Sequence, residues 1–408
     1  MYINRIAQYL RFQYPITYHL ASISYHCINL CLVILLLPMR LLPLKTNKIV
    51  ICSFFGKGYT DNPKYIAQEL LSRHPEYDIV WILRPDNQDK AEIPNMIRVI
   101  SWGSIKSFYE LMTAKVWVDN QRKLLSCLRK RKGQIYIQTW HGFGPKNIQT
   151  EYVNLNYFQL KAICRDSNNT DLYLSNNSIL DGIYRRSFFY NGEILRKGFP
   201  RNDVLFVGDR EKILTKIQNK YNISASTKII MYAPTYRNGY GLEIYNLDYS
   251  RCLDALTEKF GDNWCMLLRL HPTISYKSKD IGWSDSHIID VSDYLDMQEL
   301  LLISDVLITD YSSCMFDYFL TKKPCFIYAP DYEIYQEKVG FCLDMNELPF
   351  TISKDTDELI NNINHFEHEP YINLYNHYND KYGFTDDGNA SKAVVDWIEQ
   401  KLNITTNR

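Results

Sequence analysis

Apolar residues along this chain cluster in short runs, and the runs alternate with stretches whose apolar positions recur every three or four residues. Runs at 48–54, 77–83, 96–100, 114–118, 134–139 and 171–175 predict strands, with helices at 63–72 and 105–112 between them. Runs that are apolar throughout fit strands buried on both faces, as in a parallel sheet wrapped by helices. Gly198-Phe199-Pro200-Arg201-Asn202-Asp203 breaks the pattern, and a polar helix within 211–228 leads into a second half. There the runs at 228–233, 264–270, 288–291, 306–308 and 324–328 predict strands, and 297–304 and 390–402 predict helices. The expected fold is α/β, with two Rossmann-like doubly wound domains facing across a cleft. The expected boundaries are 1–47 for an N-terminal segment, 48–205 and 206–385 for the two domains, and 386–408 for a C-terminal helix.

The N-terminal segment is mostly apolar over 27–44. Its uninterrupted apolar run, 30–37, is well short of the roughly 20 residues that span a bilayer, and Pro38 and Arg40 end it. No small-residue cleavage site follows, so a secretory signal is not expected. Two readings remain: a monotopic segment on the cytoplasmic face of a membrane, or a buried helix of the first domain. The basic residues Arg122, Lys123 and 129–132 form either a solvated loop or a face toward anionic lipid.

Composition narrows the class. With 46% hydrophobic and 23% charged residues, a packed protein is expected and disorder is excluded. Lys+Arg and Asp+Glu both number 46, so no basic field points to a nucleic-acid partner. The ten cysteines show no Cys-x-x-Cys spacing, which fits reduced thiols of a cytosolic protein.

The candidate chemistry sits where strands end. In open α/β sheets, ligands bind beyond the carboxyl ends of the strands. His141 and Lys146 follow the 134–139 run; Arg237, His271 and Asp310 follow strands of the second half. After Val306-Leu307-Ile308, the residues Asp310, Ser312 and Ser313 are of types that cap helices, so a helix is expected to begin there. A helix N-terminus with two serine hydroxyls makes a phosphate seat. The chain has no Gly-x-Gly-x-x-Gly, no Gly-x-x-x-x-Gly-Lys-Ser/Thr and no His-Glu-x-x-His. The seat therefore depends on serine and helix terminus, and neither a metal nor another cofactor is expected.

Trp140-His141-Gly142 with Lys146, Ala233-Pro234-Thr235-Tyr236-Arg237, Arg269-Leu270-His271-Pro272 and Thr309-Asp310-Tyr311-Ser312-Ser313 with Phe316-Asp317 form a set. Together they resemble the CDP-glycerol glycerophosphotransferase family, whose members build wall teichoic acids and some capsules. Phe55-Gly56-Lys57-Gly58-Tyr59, Asp61-Asn62-Pro63-Lys64 and Gly198, Pro200, Arg201 and Asp203 also match family positions. The resemblance runs from about residue 48 to 402. It implies a GT-B architecture, usually metal-independent, with membrane association through the N-terminal side. It further implies a CDP-polyol donor, and a lipid-linked or polymeric glycan as acceptor. By the same resemblance His141, His271 and Asp310 are catalytic, with His141 the base that takes the acceptor proton. Arg237, Thr235, Ser312, Ser313, Pro234 and Arg269 would bind the donor; Lys57, Gly58, Asn62, Lys146 and Arg201 would bind the acceptor. The absence of a large N-terminal extension favours a primase-like or capsule enzyme. A GT-B glycosyltransferase using a nucleotide sugar, and a non-catalytic component of a surface-polymer assembly complex, are the alternatives.

Overall fold

The computed structural model describes residues 36–406 except 86, 122–128, 152–154, 156, 238–244, 246, 272–273 and 275–286, and also Ile23, Ser24, Cys27, Ile28, Cys31 and Ile34. Two parallel sheets organise it. The first contains β1 (Lys45–Cys52), β2 (Asp78–Leu83), β3 (Arg98–Ser101), β4 (Ala114–Asp119), β5 (Ile135–Gln138), β6 (Leu172–Ser175) and β7 (Glu193–Arg196). The second contains β8 (Thr227–Ala233), β9 (Asn263–Leu268), β10 (Ile288–Asp290), β11 (Val306–Thr309), β12 (Cys325–Tyr328) and β13 (Thr351–Ser353). The spatial orders are β3-β2-β1-β4-β5-β6-β7 and β10-β9-β8-β11-β12-β13. Both are the Rossmann order, and the reversal of winding falls between β1 and β4 and between β8 and β11.

Burial explains why these runs become central strands. Every residue of β4 is buried, as are Ile49, Val50 and Ile51 of β1, so both faces of the sheet are covered. Helices that shield them start at side-chain caps: Ser104 accepts from the Ser107 N–H, Asn177 from Leu180 and Asp248 from Arg251. The helix expected from the serine pair begins there. It spans Cys314–Phe319, and its N-cap, Ser313, makes no side-chain cap bond. Asp310 does not cap it, because its carboxylate receives the N–H groups of Tyr311 and Thr235 instead.

The two sheets share one apolar core. Phe143, in the loop after β5, lies with its ring centroid 4.5 Å from Phe316 of the second half. Phe384 and Tyr378 extend the same aromatic stack. Burying one such phenyl group contributes about 1.5–3 kcal/mol. The last helix, Ala390–Thr406, returns to the first half: Trp397 Nε1 donates to Glu193 of β7, and Asp396 pairs with Arg73. Of the apolar N-terminal stretch, Leu37–Leu41 forms a 3-10 turn. Leu36 and Met39 pack against the cluster containing Phe108, Met112 and Trp117, whereas Leu41 is 88% exposed. Among the described residues, no helix is long and apolar enough to cross a membrane. Cys27, Ile28, Cys31 and Ile34 of that stretch are exposed, and 29–30, 32–33 and 35 lie outside the described residues.

Candidate active site

The carboxyl ends of β4 and β5 build the first half of the site. Trp140 adopts φ +54° and Gly142 φ +134°, so the chain turns sharply on either side of His141. A Cβ at Gly142 would stand 2.7 Å from Ser313 Oγ, which explains why only glycine fits there. The Asn62 side-chain amide holds the Trp140 carbonyl at 3.2 Å. His141 Nδ1 lies 2.8 Å from the Asn120 carbonyl oxygen. A carbonyl can only accept, so Nδ1 carries the hydrogen and Nε2 keeps its lone pair. Gln121 Nε2 lies 3.3 Å from Nδ1 and 3.4 Å from Nε2. Phe54 and Trp140 flank the ring at centroid distances of 5.6 and 4.1 Å. Enclosure pushes the imidazole pKa down to about 4, and the charges of Lys146 and Arg201 add to the effect. The ring is therefore neutral near pH 7.

The second half lies beyond β8 and β11. Asp310 accepts from the Thr235 N–H at 2.9 and 2.8 Å and from Arg237 Nη1 at 2.7 Å. Arg237 also grips Asp331 with Nε and Nη2, at 2.8 and 3.0 Å. Its guanidinium lies near the rings of Tyr311 and Tyr335, 4.8 and 5.1 Å from their centroids. Ser312 and Ser313 are half-buried, and Ser313 abuts the Gly142 loop of the first half. Thr235 Oγ1 is buried with no hydrogen-bond partner among the described residues. A buried hydroxyl without a partner is costly, and a bound oxygen would relieve it.

Lys146 joins the halves. Its backbone bridges to Phe341, and the Cys342 N–H donates to the Pro145 carbonyl at 2.8 Å. Burial lowers the Lys146 pKa; Asp310 opposes that and Arg237 adds to it. Lys146 and Lys57, both of the first half, act with burial and Arg269 to lower the pKa of His271. His271 stacks near Tyr236, 5.6 Å between centroids. Burial, then Arg84, lowers the pKa of Lys57 itself, and Gly58 beside it is buried.

The expected site residues thus divide. His141, Lys146, His271, Lys57, Ser312, Ser313 and Thr235 gather around the gap between the sheets. Others serve as supports, because the protein already uses their polar groups. Asn62 is buried between Trp140 and Arg201, and Arg201 between Asp61 and Asp317. Arg237 is held by two carboxylates, and the polar groups of Arg201 and Asn62 are likewise engaged within the protein. Asp310 holds Arg237 and the Thr235 amide rather than a histidine. Arg269 turns to the Val291 carbonyl at 2.8 Å, and Pro234 is buried behind β8. Sequence reasoning missed Asn120, Gln121 and Asp331. All three sit just beyond β4 or β12, and the strand-end rule that singled out His141 covers them too.

A family description, CDP-Glycerol:Poly(glycerophosphate) glycerophosphotransferase, matches residues 35–400. The chain belongs to this glycerophosphotransferase family. It is 34% identical over 375 residues to a teichoic acid poly(glycerol phosphate) polymerase of Staphylococcus epidermidis, covering 88% of this chain and 51% of that protein. The chain thus spans about half the length of that relative. A teichoic acid glycerol-phosphate transferase of Staphylococcus aureus is 32% identical over 366 residues, covering 86% of this chain and 92% of that protein. The solved wall teichoic acid polymerase TagF superposes with a TM-score of 0.78 at 33% identity, covering 90% of this chain and 91% of that one. Like this family member, it pairs the matched sequence with the same two-sheet architecture.

Proposed function

We propose that this protein is a GT-B-type transferase. In this reading it moves glycerol phosphate from CDP-glycerol to a hydroxyl of a lipid-linked or polymeric teichoic-acid-type acceptor and releases CMP. One observation carries the reading: the loop bearing His141 meets Ser313 across the gap between two Rossmann-like sheets. A proton acceptor and a phosphate seat thereby face one space, in a member of a glycerophosphotransferase family.

The chemistry follows from that placement. The acceptor oxygen forms a bond to the β-phosphorus in line, the bridging P–O bond to the cytidylyl phosphate breaks, and CMP leaves with the bonding electrons. The acceptor proton passes to His141 Nε2, whose lone pair is left exposed by the Nδ1–H bond to Asn120. A base with a pKa of about 4 is weak, but the anionic diphosphate of a bound donor raises it toward neutrality. Lys146, His271, the serine hydroxyls and Thr235 Oγ1 supply charge and hydrogen bonds to the phosphoryl oxygens. Positioning and charge stabilisation are the main needs of phosphoryl transfer.

A membrane-surface location agrees with the exposed Leu41 and Ile105 and with Arg40, whose side chain contacts the basic 129–132 loop. Substituting Asp at Leu41 and Ile105 lowers binding to anionic vesicles on this reading; unchanged binding removes these residues from the membrane contact. The activity test is incubation with CDP-glycerol, CDP-ribitol, CMP-sialic acid and UDP-sugars plus a lipid-linked disaccharide acceptor. Release of CMP with a glycerol-phosphate mass added to the acceptor supports the proposal. Turnover of a UDP-sugar alone replaces it with glycosyl transfer.

A further inference from the structure

Arg201 opens the connection between the sheets, and its side chain is only 2% exposed. Nη2 donates to Asp317 Oδ1 of the second half at 3.0 Å. Nη1 approaches Asp61 Oδ2 of the first half at 3.4 Å, and the backbone N–H donates to Asn62 Oδ1 at 3.1 Å. Its charge is thus shared between carboxylates from both halves. Asp317 is itself fixed by Gln298 Nε2 at 3.0 Å and Asn202 Nδ2 at 3.2 Å.

A hydrogen-bonded route and a second, electrostatic one lead from this cluster to His141. Asn62 Nδ2 holds the Trp140 carbonyl. Asp61 is close enough to the Asn120 side chain for that amide to favour its charged form, and the Asn120 carbonyl receives the His141 Nδ1–H. On the opposite side, a Cβ at Gly142 would lie 3.1 Å from Arg201 Nη2, so the histidine loop rests directly on the guanidinium. Asp61 at φ +61° and Trp140 at φ +54° hold unusual backbone conformations on these same routes. Such strain persists where the surroundings over-determine it.

We propose that Arg201 is a positioning residue. With Asp61 and Asp317 it clamps the two halves so that the His141 imidazole and the Ser313 end of the phosphate seat keep one fixed geometry. The inference rests on the transferase reading above. It replaces the expected acceptor contact of Arg201 with action through other residues.

Arg201→Lys and Arg201→Met separate positioning from mere cohesion. Folding is checked by circular dichroism, and kcat and KM for CDP-glycerol are measured beside a titration of 15N-labelled histidines by NMR. Lys keeps the charge but cannot bridge both carboxylates with one planar fork. Arg201→Lys is expected to lose roughly 10²-fold in kcat, the scale of a misplacement near 1 Å, with KM little changed. The His141 titration stays in place for the Lys variant and moves to higher pH for the Met variant, because a cation facing the ring is removed. Of the cations acting on His141, Lys146 remains in both variants. A folded Lys variant with wild-type kcat, or one in which KM alone rises, overturns the clamp. If Arg201→Met does not fold, the Lys variant alone decides it. If the wild-type protein turns over no CDP-polyol, the transferase reading fails; the titration needs no substrate and still tests the link from Arg201 to His141.

Discussion

Replacing Gly142 by alanine probes the contact on which the site is built. The glycine has φ +134°, a region that side chains avoid, at a cost of about 1–3 kcal/mol. The added methyl would also stand 2.7 Å from Ser313 Oγ and 3.0 Å from Ser313 Cβ, closer than packed carbon and oxygen atoms approach. Such overpacking costs about 1–3 kcal/mol more. If the protein absorbs both, stability falls by about 2–6 kcal/mol and Tm by roughly 4 °C or more. If the halves separate instead, stability falls less and kcat falls by about 10²-fold per ångström of displacement. A double-mutant cycle with Ser313→Gly isolates the Ser313 contact, since that change removes its two near atoms and leaves the backbone strain and the 3.1 Å approach to Arg201 Nη2. The cycle should return about 1–3 kcal/mol of the loss, measured by thermal and urea unfolding beside CMP release. Gly142→Ala with unchanged Tm and turnover, or no relief from Ser313→Gly, would refute the facing of the two loops and the transferase geometry with it.

His141→Ala should keep the fold and lose about 10²–10⁴-fold in turnover, read as CMP release under saturating CDP-glycerol; near-normal turnover removes the imidazole from the reaction. Because the base works only when neutral, kcat/KM should fall as pH drops through about 4, whereas the acid limb of kcat lies at higher pH, since bound diphosphate favours the protonated ring. Coincident limbs contradict a base next to the donor. Lys146→Met should raise the KM for CDP-glycerol about 10–100-fold, the loss of one charge-assisted hydrogen bond, and shift both histidines to higher pKa by removing a neighbouring cation. Far from the gap, buried Lys48 pairs with Glu110 and donates to Thr113 Oγ1 at 2.9 Å. Lys48→Met should cost about 3–5 kcal/mol in urea unfolding while turnover per folded molecule stays unchanged.

The central strands were legible because burial on both faces leaves long apolar runs. The edges were not. β7 reads Glu-Ile-Leu-Arg and β13 reads Thr-Ile-Ser, each short and with one side uncovered, so neither leaves an apolar run. His141, Lys146 and Ser313 could be found because each follows a strand, and strand order places those ends together. Their supports could not be assigned roles in the same way. Arg201 meets Asp61 across 140 positions and Asp317 across 116, and Arg237 meets Asp331 across 94. No local pattern tells a buried arginine that serves carboxylates from an open one that serves phosphate.

That distinction changes which groups can hold a diphosphate. From sequence, an arginine beside a strand end is a natural anion ligand. In the folded protein Arg237 faces Asp310 and Asp331 together, so the trio carries net negative charge. Presenting that trio to phosphate would add repulsion rather than attraction. On the proposed reading the positive charge for the donor comes from lysines instead: Lys146, whose charged form Asp310 favours, and Lys57, near enough to His271 to lower its pKa. Arg237 then acts by fixing the Thr235 loop, through the carboxylate of Asp310 that also holds the Thr235 amide. If the donor binds as proposed, the first half supplies the cations of the seat and the second half its shape, so that neither sheet alone would hold the donor in place.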